Sequence, residues 1–248
     1  MLPRLFIRLF IAVFMATLGA FLAVSFKKIS HRSLCILISF AAGALLAVSL
    51  FDIFPETVEI VGFLPAIFSF LSGYLVFFFI TRFVFHICPA CAATHTEVNF
   101  KAVTLAMVVA LSVHSFMDGL AIYSGYVATS KIGLLIFLAV AYHKLPEGMA
   151  LALVSRGSGA GRARSFFLSF SIESLTTFAG GVAGLVALLP GASRWVGYVL
   201  GHVGGGFVFL VVHALLSEVI KHHPRSTLLA AFLGAVSISL VGVFFGGF

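Results

Sequence analysis

An all-α polytopic membrane bundle of eight transmembrane helices, with both termini outside, is the fold the sequence predicts, and three observations predict it. Apolar residues make up 61% of the 248 residues and charged ones 9%, a composition outside the range of ordinary soluble domains. Eight apolar runs, at 5–25, 34–54, 63–85, 101–123, 132–155, 165–189, 195–220 and 226–246, each approach the roughly 20 residues that a bilayer crossing needs. The basic residues collect in alternate connections. With the termini outside, the inner segments hold Lys27, Lys28, Arg32, Arg82, Lys101, Arg156, Arg162, Arg164, Lys221 and Arg225, and the outer ones hold only Arg4, Arg8, Lys131 and Arg194, which fixes the orientation by the positive-inside rule. The net charge of +7 is therefore a mark of topology, and no nucleic-acid partner is expected. Residues 1–248 read as a single domain in the cell membrane.

Taken in order, the first run follows Arg4 and Arg8 as a signal peptide would, but it extends to Phe26 and ends in Lys27 and Lys28, so it reads as a retained helix. The second ends outside in FDIFPETVE, where Pro55 breaks the apolar run among Asp52, Glu56 and Glu59. These acids read either as a solvated helix end or as an entrance that concentrates cations. The third run leads into an inner loop, 86–100, with His86, Cys88, Cys91 and His95 in the order H-x-C-x-x-C-x-x-x-H. Four zinc-type ligands in so short a run form a candidate loop metal site, set against membrane-proximal reduced thiols with incidental histidines. Glu97 follows in the same loop. After the fifth run, RGSGAGRAR at 156–164 is a glycine and arginine linker on the inner side; it lacks the lysine and the serine or threonine of a phosphate loop. The seventh run carries Gly204, Gly205 and Gly206, which permit close helix approach in membranes. His202 and His213 there, with Glu218 near the inner end, are candidates for hydrogen bonds within the bundle or for an entrance or exit path. SFAAGALLA in the second run and AGGVAGLVA in the sixth present further small-residue faces.

The chemistry concentrates in the fourth and fifth runs. HSFMDGLAI puts His114 four residues before Asp118, and HKLPEGMALAL puts His143 four before Glu147, so on helices each pair shares one face. Counted from the span ends, both histidines lie roughly 14 to 17 Å deep, near the bilayer midplane. The short connection Ser124–Lys131 favours antiparallel neighbours, whose two faces together make a four-ligand site. Ionisable groups in a span cost roughly 2.5 to 3.5 kcal/mol each on insertion scales, and these two runs hold five, the fifth being Lys144. Pro146 frees the carbonyl of Tyr142 beside the ligands, and Gly119 and Gly148 each follow a carboxylate, leaving room for another backbone or a mobile ion. Two imidazoles with two carboxylates suit Zn²⁺ and admit Cd²⁺, Fe²⁺, Mn²⁺ or Co²⁺. Their two negative charges match one divalent ion, and protons should compete with it. The residues also permit a second reading, an intramembrane zinc-dependent hydrolase with three ligands and a spare carboxylate as base.

HSFMDGLAI and HKLPEGMALAL resemble the fourth and fifth helices of the ZIP family of divalent-metal transporters. The resemblance implies eight helices with both termini outside, an inner loop after the third helix that often holds metal ligands, import of the metal to the cytosol, and His114, Asp118, His143 and Glu147 as the transport site. Many members place a second metal beside the first, using an asparagine after the first histidine and an acidic or amide residue after the second. Ser115 and Lys144 stand there in this sequence. An ammonium in that place implies a single-metal site, and Glu173 of the sixth run, at similar depth, is the expected partner of Lys144. The partners expected are divalent metal ions and the lipid bilayer, with a homodimer as a candidate assembly. The resemblance favours transport over hydrolysis.

Overall fold

The structure, a computed structural model, describes residues 2–26, 30–84, 100–187, 193–212 and 224–245. Among these it contains no strand and eight continuous helices: α1 (Leu2–Ser25), α2 (31–61), α3 (Phe63–Val84), α4 (Phe100–Ala128), α5 (Ser130–Gly157), α6 (162–187), α7 (193–212) and α8 (Pro224–Phe245). Counted over the described residues alone, six of them are long and apolar enough to cross a membrane: α1, α2, α5, α6, α7 and α8. α3 and α4, at 22 and 29 residues, also have the length of a span.

The helix ends follow local chemistry. Ser30 caps α2 by accepting from the Ser33 N–H at 3.1 Å, and Thr129 caps α5 by accepting from Ile132 N–H at 3.2 Å. The expected eight-residue connection between α4 and α5 shrinks to Thr129 alone, because α4 runs on to Ala128. Pro55 does not end α2. A π-turn at Ser49–Ile53 precedes it, Phe54–Val61 continues the helix, and Gly62 stops it with a φ of 91° that only glycine adopts without strain. A second π-turn, Ser171–Leu175, lies inside α6.

Helix approach is set by glycine. A Cβ on Gly19 of α1 would meet the carbonyl of Leu145 in α5, and one on Gly148 of α5 would meet the carbonyl of Ala16 in α1. Gly119 of α4 and Gly180 of α6 face the carbonyls of Thr177 and Phe116 in the same two-way manner. The space after each site carboxylate is thus filled by a neighbouring backbone, not left for an ion. The seam recurs between α2 and α8 and between α3 and α7. α1, α4, α5 and α6 pack on one another, while α2 lies against α5, and α7 against α4. The pair that carries the polar runs therefore sits at the centre, against α1 and α6 on one side and α2 and α7 on the other. Arg156, near the end of α5, donates to the carbonyls of Ala23 and Phe26 at 2.8 and 3.2 Å, satisfying the last turn of α1.

Candidate metal centre

α4 and α5 are antiparallel neighbours, so the i,i+4 spacing of each polar pair brings four side chains to one point. His114, Asp118 and His143 are buried, and the Glu147 side chain keeps 15% exposure. One donor atom from each lies within 4.8 Å of all the others. His114 Nε2 is 2.9 Å from Glu147 Oε1 and 3.6 Å from Asp118 Oδ2. His143 Nε2 is 3.2 Å from the same Asp118 oxygen.

The hydrogen-bond pattern indicates what belongs between them. His143 Nδ1 lies 2.9 Å from the carbonyl of Ala139; a carbonyl only accepts, so Nδ1 carries a hydrogen. In the neutral ring Nε2 then presents a lone pair to a carboxylate oxygen, and two acceptors face each other across 3.2 Å. That contact requires a proton or a metal cation between them. Asp118 Oδ1 and His114 Nδ1 are buried with no hydrogen-bond partner, which is unusual for buried polar atoms.

Beside this set lies a cation of the chain itself. Lys144 is fully buried, and its Nζ lies 2.7 Å from Asp118 Oδ2, 2.8 Å from Glu173 Oε2 and 3.3 Å from Glu147 Oε2. It also donates to Ser115 Oγ at 2.7 Å, and Ser115 Oγ donates to Glu173 Oε2 at 2.7 Å. Glu173 sits in the α6 π-turn, the kind of helix irregularity that recurs at functional sites, and its carbonyl accepts from Thr177 Oγ1 at 2.6 Å. The structure thus brings together the four ligand candidates and the three residues of the neighbouring triad.

Sequence reasoning missed three residues here. Phe207 of α7 places its ring 6.1 Å from the imidazoles of both His114 and His143, and Phe77 of α3 lies 6.2 Å from His114. Both are buried. Two phenylalanines among 29 carry no distinguishing signal; the nearest is the glycine run just before Phe207. The third is Ser169 of α6, whose Oγ donates to the carbonyl of Gly148 at 2.9 Å and holds the α5 backbone beside Glu147.

The remaining candidates lie elsewhere. Asp52 and Glu56 are half-buried and Glu59 is exposed on the last turns of α2, and Asp52 Oδ1 is 3.9 Å from Lys131 Nζ in the first turn of α5. His202 Nδ1 lies 2.8 Å from Ser72 Oγ between α7 and α3, apart from the four-ligand cluster. His86, Cys88, Cys91, His95, His213 and Glu218 fall outside the described residues.

The family described as ZIP zinc transporter matches residues 92–242, more than half of the chain. The zinc transporter ZupT of Escherichia fergusonii is 28% identical over 209 residues, covering 82% of this chain and 76% of its own length. Those of Salmonella paratyphi A and Salmonella newport are 27% identical over the same extent.

Proposed function

The chain belongs to the ZIP family of zinc transporters, and from that premise we propose that it imports Zn²⁺ across the cell membrane into the cytosol through one site, His114, Asp118, His143 and Glu147. One observation carries the reading: a four-donor nitrogen and oxygen cluster on two adjacent helices, with Lys144 Nζ held 2.7 Å from the shared ligand oxygen. Three carboxylates against one ammonium leave two negative charges when the imidazoles are neutral, so a single divalent ion neutralises the buried cluster. Zinc takes such a set tetrahedrally, and Cd²⁺, Fe²⁺, Mn²⁺ and Co²⁺ are weaker candidates for the same donors.

Asp52, Glu56 and Glu59 attract the cation at the outer surface. All four ligands belong to α4 and α5, while α3 and α7 face the imidazoles with phenyl rings, which hold no metal. A site held from one side can be carried past that wall, exposing the ion to each face of the membrane in turn. Glu147, the ligand nearest the Gly157 end of α5 and the one with residual exposure, leads toward the cytosol in this orientation. The hydrolase reading finds less support, because all four donors converge and the nearby Glu173 is occupied by Lys144 and Ser115, so no carboxylate is left over as a base. Purified protein in sealed vesicles should take up zinc, and Glu147→Gln should abolish uptake while the protein stays folded; uptake undiminished in that variant refutes the site.

A further inference from the structure

A cleft of about 700 Å³ opens between α3, α4 and α7, within the size range of ligand pockets. Pro65 and Phe68 of α3, Met117 and Leu120 of α4, and Trp195 and Val199 of α7 form most of its wall. Phe68 and Trp195 flank it, exposed by 66% and 67%, on helices that carry further exposed apolar side chains. We propose that this cleft holds one hydrocarbon tail of a phospholipid from the leaflet at which α3 and α7 begin, the outer leaflet in the proposed orientation.

Depth, polarity and position argue for that occupant. Pro65 and Trp195 lie two residues inside the first residues of their helices, and Ser72 and His202, toward the membrane interior, lie nine inside. At 1.5 Å per residue the cleft reaches about 14 Å into the membrane, close to the ~15 Å half-thickness of the hydrocarbon core. A tail entering from the headgroup level is spent at that depth. Trp195, edge-on to Tyr198 with ring centroids 6.1 Å apart, stands where amphipathic rings meet headgroups.

The polar groups along the cleft offer little to a polar guest. Ser69 Oγ donates to the carbonyl of Tyr198, and Ser72 Oγ lies 2.7 Å from the carbonyl of Ser69 and 2.8 Å from His202 Nδ1. No carboxylate, ammonium or guanidinium is among the lining residues. A hydrated divalent ion would find few ligands there, whereas an apolar chain makes contacts that an empty cleft would forfeit. The tail would lie against Met117 and Leu120 on α4, which flank Asp118 one turn beyond His114, and so against the helix that carries half of the metal ligands.

The test uses the full-length protein in vesicles containing a phosphatidylcholine with a diazirine in one acyl chain. After irradiation, digestion maps the label. Enrichment at 65–72, 117–120 and 195–202 over the lipid-facing side of α8 at Leu228, Leu229, Phe232 and Leu233, which is exposed by 50–64%, is the expected result. Leu120→Trp fills the cleft from α4, and Val199→Phe fills it from α7. Each should remove the cleft label and leave the α8 label unchanged, the latter serving as the check that the variant is folded. Labelling spread evenly over both faces in the parent protein overturns the proposal. So does cleft labelling that persists in either variant whose α8 label is normal. The readout is lipid attachment and does not depend on metal transport.

Discussion

Replacing Lys144 with methionine removes a buried positive charge while keeping most of the side-chain volume. The ammonium lies 2.7 Å from Asp118 Oδ2, and a zinc bound to that carboxylate would stand about 2.0–2.2 Å from an oxygen of it. If both cations use the same oxygen, they are no more than about 5 Å apart, and at an effective dielectric constant of 20 their repulsion is about 7 kcal/mol. The gain in zinc affinity is smaller than the full repulsion, because Glu173, losing the contact at 2.8 Å, takes up a proton and restores part of the positive charge. The expected outcome in a zinc titration by calorimetry is tighter binding of the first equivalent. A weaker second equivalent should appear, held by Asp118, Glu173 and Ser115 in the place the ammonium vacates. The parent protein should bind one equivalent at this centre. Loss of all zinc binding in a variant that elutes and melts as a folded protein would refute the reasoning. Lys144 would then be part of the scaffold that shapes the primary site, and not a resident counter-ion.

Three further outcomes follow from the same geometry. Ser115→Ala leaves Lys144 and Glu173 each one hydrogen bond short in a buried network and should cost about 1–3 kcal/mol, read as a lower melting temperature, with zinc stoichiometry at this centre unchanged. Ligation uses neutral imidazoles and ionised carboxylates, so protons compete with zinc for the same donors. Zinc affinity should therefore fall as the pH drops, by about tenfold per unit for each proton displaced, and isothermal titrations between neutral and mildly acidic pH give the slope. Gly148→Ala places a methyl against the carbonyl of Ala16, which must push α1 from α5 at a cost of about 1–3 kcal/mol; thermal unfolding in detergent measures it, and zinc uptake should fall with it because Glu147 is the preceding residue.

The helical class and the central pair were legible because they rest on long-range averages and on one strong local period. Twenty-residue apolar runs survive errors of several residues at their ends, and the four-residue spacing of His114 with Asp118 and of His143 with Glu147 specifies a shared face without knowledge of tertiary structure. The pairing of Lys144 with Glu173 was also within reach, since a buried ammonium must meet a carboxylate and few were at the right depth. What was hidden is what depends on distant backbone. Pro55 reads as a break, yet α2 passes it to Val61 because the preceding π-turn gives up its regular hydrogen bonds before the proline demands it. Phe77 and Phe207 are chosen from many equivalent phenylalanines by the packing of α3 and α7 against α4, which no local pattern records. Gly119 and Gly148 were recognisable as room for something, and only the neighbouring helices decide that it is the backbone of α6 and of α1.

The two acidic π-turns connect these hidden features. Asp52 lies in the turn Ser49–Ile53 and Glu173 in the turn Ser171–Leu175, one near the end of α2 beside Lys131 and the other at the central cluster. A π-turn inserts a residue into the helical repeat, so side chains beyond it move to a different face than a regular 3.6-residue count assigns. In α6 this matters because the helix must do two things at once. It presents Glu173 to Lys144 and keeps Thr177, Gly180 and Gly181 in contact with the α4 backbone and with Leu9 of α1. The extra residue at 171–175 changes the phase between the segment that begins at Arg162, including Ser169 against α5, and the segment that packs on α4. Ser169 and Glu173, four residues apart, share the face toward α5, and the inserted residue sets that face relative to the glycine seam that closes on α4. The irregularity is thus what lets a helix that contributes no ligand to the four-donor cluster supply the carboxylate that holds the resident cation beside it.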